Sequence, residues 1–312
     1  MTPRKYGSPV AFKQAVEHRL REEAAGSGVE LARLRQLLVF DRFLARVTAL
    51  CRERVILKGA IVLELRLERA RTTKDLDLRM LGDPDDVLAT LQEAGRLDLG
   101  DFLRFEVQED RRHPEIDAEG MVYQGRRYRA RGLLAAKIYG SSFGVDVAFA
   151  EPMAGEVEEV EGSRFLAFAG VEPAIFRIYP LDAHIAEKLH AYTMPRLRPN
   201  SGVKDLPDIA LLGTARVLDA SCLRMAIERT FTHRGTHAVP FAVPHPPASW
   251  APVYERMART DRLSWPSLDE LRKAVAAFLD PVLSGGEGQW DPGTWRWTTA
   301  TKALSCHVPT GE

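Results

Sequence analysis

Residues 56–80 read ILKGAIVLELRLERARTTKDLDLRM. A short apolar strand runs into a Lys-Gly turn and an amphipathic helix. An Arg/Thr-rich turn then leads to a second strand carrying Asp75 and Asp77. Side chains alternate across a strand, so these two carboxylates, two positions apart, share one face. On a buried strand such a pair is costly without a cation between its members, and a divalent metal is the usual partner. Lys58-Gly59 stands where a turn into a helix offers backbone N–H groups to phosphate.

Upstream, the pattern predicts helices over 8–23, with Ser8 as cap and Pro9 in the first turn, and over 29–50. Arg33, Arg35, Arg42 and Arg46 read as the solvated face of the second helix, with a contact surface for phosphates as the alternative. Downstream, a helix is expected over 85–94 and a strand over 102–108. Residues 120–151 read as β, with turns at Gly125 and at residues 140–142. Asp146 is the only charge in the apolar run 143–150. Residues 153–162 read as an acidic loop and 164–178 as short strands. After Leu181 the pattern turns helical, over 182–194, 205–212, 220–230, 251–260 and 267–283. The change near Pro180 predicts two domains, 1–180 and 181–312. Trp290, Trp295 and Trp297 make the tail too aromatic to be left in solvent, so it is expected to pack back on the body, with a partner-binding edge as the alternative.

The whole chain narrows the function classes. It has 312 residues, 45% hydrophobic, with Lys+Arg and Asp+Glu both at 43. Zero formal charge leaves any nucleic-acid affinity to local asymmetry. Arg111, Arg112, Arg126, Arg127, Arg129 and Arg131 form one basic region, unless they pair with Glu115, Asp117 and Glu119. Arg196, Arg198 and Lys204 form another. Cys51, Cys222 and Cys306 are widely spaced and read as reduced thiols of a cytoplasmic protein. No apolar run is long enough to span a membrane.

Asp146, reaching Asp75 and Asp77 from a neighbouring strand, would complete a three-carboxylate cluster able to hold Mg²⁺ against triphosphate oxygens. One of these carboxylates could take the proton of an attacking hydroxyl. A second block, IAEKLHA at 185–191 and KDLPDI at 204–209, supplies Lys188, a compact cation suited to phosphate. It also supplies Asp205 and Asp208, which share a helix face.

The blocks LKGAIVLELRL…RTTKDLDL at 57–78, VDVAFAEP at 145–152 and IAEKLHA…VKDLPDI at 185–209, with FLDPVL at 278–283, resemble the AbiEii/AbiGii toxin family of nucleotidyltransferases. That is the MenT-like group of type IV toxin–antitoxin systems. The resemblance implies an α+β fold: a polymerase-β-like nucleotidyltransferase core with a mixed sheet, joined to a C-terminal helical domain that closes the active-site cleft. It implies Asp75, Asp77, Lys188 and Asp208 as catalytic residues, and Asp75, Asp77 and Asp146 as metal ligands. Lys58, Gly59, Thr73, Lys204 and Asp205 are implied for nucleotide binding. Mg²⁺ and an NTP are the implied cofactor and co-substrate. The implied reaction moves a nucleoside monophosphate to the 3′ end of tRNA and blocks translation. A cognate antitoxin is the implied protein partner, and the chain is expected as a cytoplasmic monomer.

Ala60 and Gly202 depart from the family pattern, which has Gly or Ser after Lys-Gly and often an Arg before Val-Lys-Asp. Two other readings stand beside the tRNA enzyme: nucleotidylation of a protein or small-molecule hydroxyl, and a nucleotide-binding module without turnover.

Overall fold

The computed structural model describes residues 5–67, 73–112, 114, 125–149, 155–195 and 202–299. Helices α1 (Pro9–Ser27) and α2 (Leu31–Cys51) come first. The Ser8 hydroxyl accepts from Ala11 N–H and caps α1 as the sequence predicts. Then follow β1 (Val55–Lys58), α3 (Gly59–Arg66), β2 (Asp75–Met80), α4 (Val87–Arg96), β3 (Arg104–Glu109), β4 (Gly125–Leu134), β5 (Lys137–Phe149), β6 (Glu158–Glu161) and β7 (Ile175–Ile178). These strands form one mixed seven-stranded sheet, ordered β3-β4-β5-β2-β1-β7-β6. The fold is therefore α+β around a mixed sheet. β2 runs antiparallel to β1 and parallel to β5, which seats the DLDL strand near the centre of the sheet. Leu76, Leu78 and Met80 turn into the core, and the aspartates turn to the other face.

The second half carries α5 (Leu181–Thr193), α6 (Asp205–Gly213), β8 (Leu218–Asp219), α7 (Ala220–Arg234), α8 (Ala251–Asp261), α9 (Leu268–Leu283), β9 (Gln289–Asp291) and β10 (Arg296–Thr298). Two hydrophobic cores result. One is built on the sheet with α1, α2 and α4, the other on α5–α9. Helix α3 serves both: Ile61 and Val62 join the first core, and Leu63 the second. Among the described residues no helix is long and apolar enough to cross a membrane.

Several local expectations change. The arginines of α2 are not a solvated face, because α2 is enclosed along residues 38–47. Arg42 and Arg46 are buried and both bond the fully buried Asp101, while Arg35 and Arg33 pair with Glu17 and Glu64. Residues 158–161 are a strand, held by pairing with β7, instead of a loop. Residues 164–169 form a 3-10 turn instead of a strand. The β4–β5 turn falls at Ala135-Ala136, both with positive φ, instead of at residues 140–142. Cys222 is disulfide-bonded rather than reduced. Cys51 is a buried free thiol.

The tail does pack back, as a hairpin. β9 pairs with β8 and β10. Trp290 is fully buried and donates Nε1–H to the Gly213 carbonyl at 2.7 Å.

Candidate active site

Strand register lines up four charged residues in one rank across the sheet. Arg127 on β4 faces Asp146 on β5, Asp146 faces Asp77 on β2, and Asp77 faces Lys58 on β1. The signs run plus, minus, minus, plus. Register partners on neighbouring strands point to the same side, so strand pairing alone gathers these groups. Asp75, two residues earlier on β2, faces Gly144, whose N–H donates to Asp75 Oδ1 at 3.2 Å. Thr73 donates its hydroxyl to the Asp75 carbonyl at 2.9 Å, bracing the turn that enters β2.

Gly59 opens α3 with φ at +65°, and an added Cβ would lie 2.6 Å from Asp77 Cγ. Glycine is therefore required both by the backbone and by the carboxylate packed against it. Ala60, the departure from the family pattern, is buried within the first turn of α3.

The helical half supplies the facing wall. Lys188 on α5 lies 2.9 Å from Asp208 Oδ2 and 3.2 Å from Asp205 Oδ1, both on α6. Asp208 is fully buried, so this pair fixes the lysine's position. Lys204 ends the short 3-10 turn before α6 and is exposed. Lys58 is buried and spans to the same wall, 3.2 Å from Glu187 Oε1 and over the Tyr179 ring at 4.8 Å. Tyr179 donates its hydroxyl to Glu187 at 2.9 Å, and Arg234 approaches the same carboxylate at 3.7 Å. Lys58 is thus a strut between sheet and helices, which the sequence, showing only a Lys-Gly turn, does not reveal. Glu187, from the IAEKLHA block, Tyr179 and Arg234 belong to this strut, and no local pattern points to Tyr179 or Arg234.

Electrostatics follow from this crowding. Burial, and then the Asp146 carboxylate alongside, push the Asp77 carboxyl up to about 6, while Lys188 and Lys58 pull it down. Burial also acts to raise Glu187, but Lys58, Arg234 and the Tyr179 hydroxyl prevail and hold it at about 2. One turn before Lys188, His184 is buried with neither ring nitrogen hydrogen-bonded, and burial lowers it to about 3.

Asp75 and Asp77 fit a hard divalent cation, being two carboxylates on one face with Asp75 exposed. Asp146 lies beside Asp77 as expected, but both its oxygens accept from Arg127, at 2.8 and 2.7 Å. Among the described residues no three acidic, histidine or cysteine side chains are gathered to hold a metal.

Four of the six arginines of the basic region have acid partners among the described residues. Arg126 pairs with Asp85, Arg127 with Asp146, Arg129 with Asp110, and Arg131 with Glu106. Glu115, Asp117 and Glu119, the expected partners, lie outside the described residues, as do Arg196 and Arg198.

Residues 42–299 match the profile of the nucleotidyl transferase AbiEii toxin family of type IV toxin–antitoxin systems. The chain belongs to that family. This AbiEii-family chain also resembles solved structures. MenT4, a nucleotidyltransferase toxin from Mycobacterium tuberculosis, is 16% identical with a TM-score of 0.55, the match covering 89% of this chain and 92% of that one. JHP933 from Helicobacter pylori is 16% identical with a TM-score of 0.49, covering 80% of this chain and 92% of that one. At such identities the likeness to MenT4 concerns the fold. No curated protein is a significant match.

Proposed function

We propose that this AbiEii-family toxin transfers a nucleoside monophosphate from an NTP to the 3′ hydroxyl of tRNA, as an Mg²⁺-dependent, cytoplasmic monomer held in check by its antitoxin. The observation that carries this reading is the apposition of Asp77 on the sheet with Lys188 and Asp208 on the helices: Lys188 acts directly on the Asp77 charge. The cleft lies between regions 1–180 and 181–312.

Asp75 and Asp77 are the residues that would hold the cation, which when bound would neutralise phosphate charge and orient the reacting groups. Gly59 lets the chain approach without a side chain. Lys188, aimed by Asp208 and Asp205, contacts the nucleotide phosphates, and exposed Lys204 adds a second cation. Lys58 reaches them only through the wall it braces. The acceptor oxygen bonds to the α-phosphorus, the bond from that phosphorus to the pyrophosphate oxygen breaks, and a carboxylate of the centre takes the hydroxyl proton.

A second reading keeps the chemistry and moves the acceptor to a protein or small-molecule hydroxyl. It is favoured by the pairing of Arg126, Arg127, Arg129 and Arg131, which removes much of the free positive surface that RNA phosphates seek. Incubation with each labelled NTP, Mg²⁺ and total RNA, with Asp75→Ala as control, tests both. Label in tRNA that disappears in Asp75→Ala supports the first reading. Label confined to protein or small molecules supports the second, and no transfer in any fraction overturns both.

A further inference from the structure

Asp146 sits where a third metal ligand is expected, yet it is already engaged on both oxygens. Arg127 Nε donates to Oδ1 at 2.8 Å and Nη2 to Oδ2 at 2.7 Å. The contact is built into the fold, since the two residues are register partners on β4 and β5. The Arg127 backbone is itself pinned, its N–H donating to Pro114 O and its carbonyl accepting from Asp110 N–H. Side-on guanidinium–carboxylate pairs of this kind are among the strongest charge-assisted hydrogen bonds. A guanidinium does not lose its proton in a protein, so this positive charge is permanent. A metal ion could take Asp146 only by displacing both bonds and leaving Arg127 without its counter-ion.

The charge count agrees. Asp75, Asp77 and Asp146 bring three negative charges, and Arg127 removes one. The two that remain match a single divalent cation. Lys58 and Lys188 also bear on Asp77, but each is held by acids of the helical wall, Lys58 by Glu187 and Lys188 by Asp205 and Asp208.

We propose that Arg127 is a built-in cation of the acidic centre: it holds Asp146 permanently, so the protein-bound divalent ion rests on Asp75 and Asp77 alone. Asp146 is then a positioning residue for Arg127 and not a metal ligand. The inference rests on the nucleotidyltransferase reading above and sets how many ions the centre takes, and through which oxygens.

The test is Mn²⁺ titration of the full chain without nucleotide, read by water-proton relaxation, with folding of each variant checked by circular dichroism. Asp77→Asn should weaken Mn²⁺ binding by at least about tenfold, while Asp146→Asn should leave it within about threefold of wild type. Arg127→Met, which frees Asp146, should tighten binding by at least about threefold or add a second equivalent. Loss in Asp146→Asn equal to that in Asp77→Asn overturns the inference and leaves the functional reading standing. Absence of Mn²⁺ affinity from the wild type overturns both. Should Asp146→Asn fail to fold, Arg127→Met decides: tighter binding supports the proposal, and unchanged binding overturns it.

Discussion

Gly59 and Asp77 are packed so closely that no side chain fits between them: a Cβ on Gly59 would stand 2.6 Å from Asp77 Cγ and 2.9 Å from its Cβ. The DxD strand and the Lys-Gly turn, sixteen or more residues apart in sequence, are therefore one object in space. Gly59→Ala should abolish nucleotide transfer. It should also lower stability by at least about 1–2 kcal/mol, from the left-handed backbone alone. Chemical denaturation and the labelled-NTP assay check the two effects, and an active, fully stable Gly59→Ala protein would sink the arrangement.

Asp77 is held up to about 6, against an ordinary 3.8, mainly by burial and by Asp146. A folded carboxyl raised in this way contributes stability below 3.8 that is lost as pH rises through about 6. Asp77→Asn, which mimics the protonated form, should therefore be inactive yet more stable than wild type at pH 8, by on the order of 2 kcal/mol. Melting curves in EDTA should show the advantage shrinking as the pH is lowered from about 6 to about 4. A variant less stable than wild type at pH 8 would count against the reading.

Glu187 carries the opposite sign. Its carboxyl is held at about 2, below the ordinary 4.5, so its stabilising effect is present above 4.5 and lost as pH falls through about 2. Removing that charge takes from buried Lys58 the carboxylate it bonds at 3.2 Å, and one from Arg234. Glu187→Gln should cost about 3 kcal/mol at neutral pH. Denaturation midpoints measured from pH 8 down to pH 3 should show the gap to wild type constant and then narrowing below about 4.5.

How much of this was readable in advance follows the separation of the residues involved. The aspartates on one strand, the Ser8 cap and the glycine turn are local, and short spacing is enough to see them. The Lys58–Glu187 bond joins residues 129 positions apart, and nothing near Lys58 announces it. Arg127 and Asp146 are only 19 apart, but the β4–β5 turn sits at Ala135-Ala136 and not at the Gly-Ser-Ser run. Two alanines with positive φ leave no mark in a sequence, so the register that joins Arg127 to Asp146 was hidden. Arg42 and Arg46 looked solvated for a related reason: their partner Asp101 comes from a distant loop and draws them into the core.

His184 is a buried ring with no hydrogen bond on either nitrogen. Replacing an unsatisfied buried polar group by an apolar one of similar size tends to be neutral or stabilising. His184→Leu should raise stability by about 1 kcal/mol and keep transfer activity. A marked fall in melting temperature would show that the imidazole makes a bond that matters.

Trp290 fills the middle of the helical half from a strand that follows every residue of the centre in the chain. A polypeptide leaves the ribosome from its N-terminus, so the sheet carrying Asp75 and Asp77 can assemble while the wall bearing Lys188 and Asp208 still lacks its keystone. The wall bearing Lys188 and Asp208 is therefore complete only when the hairpin at 289–298 has docked against the end of α6.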